Sequence, residues 1–141
     1  MSEPVKLLFD ECLGKPLLED IKRLLAWDIP PPVIEHLLDF FNSGTCDSVW
    51  IPKVANEGWI ILTADRGKKS SHMKLPSICE AYKITHILMS ASVLNLKQSQ
   101  KANAIVAVWE EIKQCQEAPK GSRFHFRLNH GHKPVIVPAT K

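Results

Sequence analysis

The feature that most constrains this chain is a pattern used twice: a short apolar run that stops at an acid. Val5-Lys-Leu-Leu-Phe9 is apolar at positions 5, 7, 8 and 9 and meets Asp10-Glu11, after which Cys12-Leu-Gly14 leads into a helix-start signal. Trp59-Ile-Ile-Leu-Thr63 is a second apolar run, and it leads into Asp65-Arg66-Gly67. Each run has the length and composition of a buried strand, which puts the acids at carboxyl ends of strands. In an open α/β sheet, ligands bind just outside the carboxyl ends of parallel strands, so acids ending two of them can converge on one site.

The stretches around these runs alternate between helix and strand periodicity. After Gly14, Pro16 suits a first helical turn, and Leu17, Leu18, Ile21, Leu24 and Leu25 recur at helical spacing. Pro30-Pro-Pro32 ends the connection, and the mostly apolar run Val33 to Phe41 fits a strand or a short buried helix, of which the strand is the preferred reading. Asp47 and Ser48 offer capping oxygens to a short helix that Gly58 ends, with Pro52 expected near its first turn. Pro76 to Lys83 reads as a helix and Thr85 to Met89 as a fourth parallel strand. A longer helix follows, with Asn95 and Gln98 at capping-box spacing and Ile105, Val108, Trp109 and Ile112 on one face. Arg123 to Leu128 and Pro134 to Val137, around Asn129-His-Gly-His132, form a hairpin or two edge strands. This order of elements predicts a parallel α/β sheet with helices on both faces.

With 141 residues and 45% hydrophobic content, the chain fits a single domain, 1–141, around one sizeable core. Residues 1–117 carry 13 basic and 15 acidic side chains, whereas 118–141 carry five basic side chains and no acid, so the tail at 119–141 is the basic part. The four cysteines lie 34, 33 and 36 residues apart, which is zinc or redox-motif spacing for none of them and fits reduced thiols. No basic leader opens the chain and no stretch reaches the length of a membrane span, so a cytoplasmic protein is expected.

Asp10 and Asp65 at strand ends, and Asp47 at the start of the helix leading into the second run, make up an all-oxygen set. Such sets select hard cations, Mg²⁺ or Mn²⁺, which activate water and neutralise charge on a scissile phosphate. The competing reading makes Asp10 and Asp47 helix caps and Asp65 a turn residue. Arg66, Lys68 and Lys69 follow Asp65 directly, placing positive charge where a phosphodiester needs it. His130 and His132 lack a third ligand at zinc spacing and read as a solvated turn, and Trp27, Trp50, Trp59 and Trp109 read as core.

Three stretches together resemble the PIN-like domains of VapC-type toxins: Leu-Leu-Phe-Asp-Glu-Cys-Leu-Gly-Lys at 7–15, Cys-Asp-Ser-Val-Trp-Ile-Pro at 46–52, and Gly-Trp-Ile-Ile-Leu-Thr-Ala-Asp-Arg-Gly at 58–67. The resemblance is strongest over residues 5–70. It implies a PIN-like Rossmannoid α/β/α fold of three layers with a central, mainly parallel sheet. It also implies metal-dependent cleavage of RNA by a toxin usually encoded with an antitoxin protein. On the motif match Asp10, Asp47 and Asp65 take the acidic metal-site positions, with Glu11 beside them. Where many PIN nucleases have a further acid, Arg66, Gly67, Lys68 and Lys69 stand here.

A metal-dependent endoribonuclease is therefore the leading expectation. A PIN-like module without catalysis that binds RNA or protein is the first alternative. A receiver-like phosphoacceptor domain is the second, disfavoured because Asp65 runs into Arg-Gly-Lys-Lys. The tail cations Arg123, Arg127 and Lys133 are expected to meet the RNA backbone, a protein inhibitor or the second subunit of a homodimer.

Overall fold

The computed structural model describes residues 3–64 and 75–139. Among them six strands form one sheet: β1 (Lys6–Phe9), β2 (Val33–His36), β3 (Ile60–Thr63), β4 (His86–Met89), β5 (Arg123–Leu128) and β6 (Pro134–Pro138). Their order is β2-β1-β3-β4-β5-β6. Every neighbouring pair is parallel except β5 and β6, which form an antiparallel hairpin. The three-layer, mainly parallel architecture expected from the sequence is present.

Helices cover both faces. Alternate residues of each strand point to opposite sides, and the two cores follow that alternation. Leu7, Phe9, Ile60, Leu62, Ile87, Met89 and Phe126 pack on one side with residues of α1 (Lys15–Leu24), α5 (Gln98–Ala107) and α6 (Trp109–Glu117). Leu8 and Ile61 point to the other side, into a core shared with Trp50, Ile51 and Val54 of α2 (Asp47–Val54) and Ile78 and Cys79 of α3 (Leu75–Ala81). A further single-turn helix, α4 (Ala91–Leu94), follows β4.

Several expectations from periodicity need correction. The run from Val33 stops being a strand at His36, because that side chain redirects the backbone. His36 Nδ1 accepts from the Leu38 amide at 3.1 Å and Nε2 meets the Leu13 carbonyl at 2.6 Å, so a 3₁₀ turn over Leu37–Asp39 replaces the second half of the strand. The residue preceding α2 is Cys46 rather than Asp47 or Ser48, and Asp47 is the first helical residue. Pro52 lies inside that helix, not in its first turn. In so short a helix it forfeits only the bond to the Ser48 carbonyl. Asn95 caps nothing in the long helix: it closes α4, and at the start of α5 it is Gln100 Oε1 that accepts from the Lys97 amide at 3.2 Å. That long helix is two, broken at Val108 with φ −102° and ψ 16°. Leu24 and Trp27, expected in the core, lie outside it: Leu24 is partly exposed on α1 and Trp27 is 66% exposed in the loop beyond it.

The break at Val108 lets α6 reach the end of α1. Trp109 Nε1 donates to Asp28 Oδ2 at 2.7 Å and Lys113 Nζ pairs with the same oxygen at 2.9 Å. Asp28 is nearly buried, and the Lys113 bond, followed by the Trp109 bond, holds its carboxyl below the usual range. The hairpin turn is built by Asn129, whose Oδ1 accepts from the amides of Gly131 (2.9 Å) and Lys133 (3.0 Å), with His132 at φ 60°. His130 and His132 are exposed in it. Among the described residues no helix is long and apolar enough to cross a membrane.

Candidate active site at the carboxyl edge of the sheet

Asp10 follows directly on β1, and its backbone amide continues the ladder by donating to the Leu62 carbonyl of β3 at 3.0 Å. This register sets Asp10 beside Thr63, the last residue of β3. Thr63 Oγ1 donates to Asp10 Oδ2 at 2.7 Å, and the Glu11 amide donates to Oδ1 at 2.8 Å. The carboxylate is only 5% exposed, so hydrogen bonds to both oxygens are what allow it to be buried there. Cys12 Sγ adds a longer contact to Oδ2 at 3.5 Å and itself accepts from the Ala64 amide at 3.4 Å. Burial of that sulfur and then the Asp10 charge push the thiol up to about 11, so it stands protonated at neutral pH.

Asp47 is the first residue of α2. Trp50, one turn further along, donates its indole Nε1–H to Asp47 Oδ1 at 2.9 Å and is itself fully buried, which fixes the carboxylate against the helix. The Cys79 thiol, buried on α3, senses both acids: burial first, then the Asp47 charge and then the Asp10 charge push it up to about 12. Asp10 and Asp47 thus both act on the Cys79 thiol, from the end of β1 and the start of α2.

Glu11 has a different position. Its carboxylate accepts from Ser43 Oγ at 3.0 Å and from the Gly44 amide at 3.1 Å. It ties the end of β1 to the loop that delivers α2. Asp65, Arg66, Lys68 and Lys69 lie outside the described residues; Asp65 follows two positions after Thr63. Among the described residues no group of three or more His, Cys, Asp or Glu side chains is close enough together to hold a metal ion.

Of the tail cations, Arg123 and Arg127 occupy different ends of one strand, and Lys133 lies in the turn that follows it. β4 and β5 are parallel with His86 opposite Arg123 and Met89 opposite Phe126, so Arg127 falls at the carboxyl edge and Arg123 at the amino edge. Thr63 was not singled out from sequence, nor was Trp50 as a partner of Asp47. The Thr63 signal was its place two residues before Asp65, on the same side of the strand as Ile61; pairing it with Asp10 needs the register of β1 on β3.

A mainly parallel sheet with helices on both faces and a buried acid, Asp10, at its carboxyl edge defines a three-layer Rossmannoid α/β protein. The family model of the PIN-like domain matches residues 5–80, more than half of the chain. The chain belongs to the PIN-like domain family. No curated protein and no solved structure matches it.

Proposed function

We propose that this protein is a metal-dependent endoribonuclease, the toxin of a toxin–antitoxin pair, working on RNA in the cytoplasm. The observation that carries the reading is the buried Asp10 carboxylate, oriented by Thr63 and the Glu11 amide at the sheet's carboxyl edge in a chain of the PIN-like family. The donor chemistry fits a hard divalent cation. The acids supply carboxylate oxygens, the donors that such ions select.

Asp10, Asp47 and Asp65 would hold Mg²⁺ or Mn²⁺, which supplies water activation and charge neutralisation at the phosphorus. Thr63 and Trp50 keep two of those carboxylates in one rotamer, so little reorganisation is left for the reaction itself. Glu11 acts through the Ser43-Gly44 loop as a positioning residue. Arg66, Lys68 and Lys69 follow Asp65 in sequence and hold the phosphates flanking the scissile bond, so their loss lowers the rate at saturating RNA. Arg127 and Lys133, on the β5 strand and its turn, hold backbone further along. The antitoxin blocks this carboxyl edge.

The test is cleavage of single-stranded RNA by the purified protein. Activity should require Mg²⁺ or Mn²⁺, stop in chelator, and fall by about two orders of magnitude or more in Asp10→Asn and Asp65→Asn, which remove a ligand charge at constant shape. Cleavage that survives excess chelator, or that either variant leaves intact, rules the mechanism out, whereas RNA binding with no cleavage in either ion favours a module that binds without cutting.

A further inference from the structure

At the amino edge of the sheet, at the far end of the strands from Asp10, lies a pocket of about 500 Å³, within the range of about 300–1,000 Å³ that small-molecule sites occupy. It is formed by Pro76 and Glu80 of α3, the segment from Ala118 to Ser122, and the adjoining ends of β4, β5 and β6. Phe124, Pro138, Ala118 and Ala139 give it an apolar lining. His86 and Arg123, opposite each other on β4 and β5, give it its polar groups.

Among the described residues, three atoms of these two side chains lack a hydrogen-bond partner. His86 is 1% exposed, and neither ring nitrogen makes a hydrogen bond; Arg123 Nε is likewise buried without an acceptor. Burial and the neighbouring Arg123 charge hold the imidazole neutral, down to about 4; the nearby Ile84 carbonyl pulls weakly the other way without meeting a ring nitrogen in bonding geometry. Buried polar atoms are normally paired, because leaving them unpaired costs free energy. Three such atoms on two facing side chains, at a pocket of ligand size, are therefore best explained by a ligand that completes them.

The atoms define its chemistry. Arg123 Nε–H requires an acceptor, and an anionic oxygen is the strongest. A neutral imidazole offers one donor and one acceptor on nitrogens that point away from each other, so no single ligand atom satisfies both. The ligand must combine an anionic oxygen group, which accepts, with a hydroxyl that donates, on a body that covers Pro76, Ala118 and Ala139. We propose that this pocket binds a nucleoside monophosphate, with the phosphate on Arg123, phosphate and ribose oxygens sharing the His86 ring, and the base on the apolar lining. Inorganic phosphate leaves the apolar lining uncovered, so it is the weaker ligand.

This site does not depend on the nuclease reading, and the experiment is run in chelator so that cleavage plays no part. AMP, adenosine and inorganic phosphate are titrated by calorimetry into the parent, Arg123→Ala and Arg123→Lys, with the His86 ring followed by NMR. The expected result is AMP binding at least tenfold tighter than adenosine or phosphate, a shift of the His86 ring signals, and a loss of at least tenfold in Arg123→Ala that Arg123→Lys partly restores. A 5′-phosphorylated oligonucleotide that displaces AMP identifies the end of an RNA strand as the occupant, and one that fails to displace it identifies free nucleotide. Equal affinity for AMP and adenosine, AMP binding unchanged in Arg123→Ala, or no AMP binding by the parent overturns the proposal.

Discussion

At the scale of single residues, the acid the sequence marks most clearly is held by one it does not mark. Thr63 donates to Asp10 within a buried pair, so Thr63→Val keeps the volume and deletes the donor. The loss of one such bond to a charged acceptor should lower stability by about 1.5–3 kcal/mol. RNA cleavage should fall by about tenfold, because Asp10 gains rotamers that do not serve the site. Urea unfolding and single-turnover cleavage check the two effects separately. A variant with parent stability and parent rate would mean that Thr63 does not set the carboxylate's position. Glu11 shows the reverse case: adjacency to Asp10 made it a site candidate, whereas Ser43 and Gly44 claim its oxygens. Sequence adjacency at a strand end says little about direction, since consecutive side chains leave the strand on opposite sides.

At the scale of elements, the strands were legible because β1, β3 and β4 are short apolar runs bounded by turn signals, and their ends fell within a residue of the expected ones. What stayed hidden was set by tertiary partners. An apolar run such as Val33 to Phe41 does not reveal that one histidine turns it into a 3₁₀ segment, and a continuous amphipathic pattern does not reveal a break at Val108. That break brings Trp109 and Lys113 to Asp28, and the latch has a pH signature. The folded carboxyl of Asp28 lies below its ordinary value of 3.8, so its extra stability is present above that value and is lost as pH falls through the depressed one. Asp28→Asn should destabilise the protein by about 2 kcal/mol at neutral pH, and the gap should close on acidification below about pH 4. Urea midpoints across pH 2–7 would show it; a gap independent of pH would remove the ion pair from the account. On β5, Arg127→Ala should weaken single-stranded RNA binding and reduce the salt slope of log affinity by about 0.7, the value for one lost phosphate contact. Filter binding at several salt concentrations reads this, and an unchanged slope would take β5 off the RNA path.

At the scale of the whole molecule, the sheet order places two chemically different ends on one body. The carboxyl edge gathers Asp10 and Thr63, while the amino edge carries His86, Arg123 and the pocket. Fold class and the first edge could be read from the chain because strand-terminal acids are a local pattern. The second edge could not, because His86 and Arg123 lie far apart in sequence and meet only through the β4–β5 register. The claim on which the account turns is that the carboxyl-edge acids hold a divalent cation, and Mn²⁺ binding measures it without any substrate. Calorimetric or electron paramagnetic titration of the parent protein should show saturable Mn²⁺ binding that Mg²⁺ displaces, and Asp10→Asn, with its fold verified by circular dichroism, should weaken it by at least tenfold. Mn²⁺ binding of equal strength in parent and Asp10→Asn, or none in the parent, would contradict it.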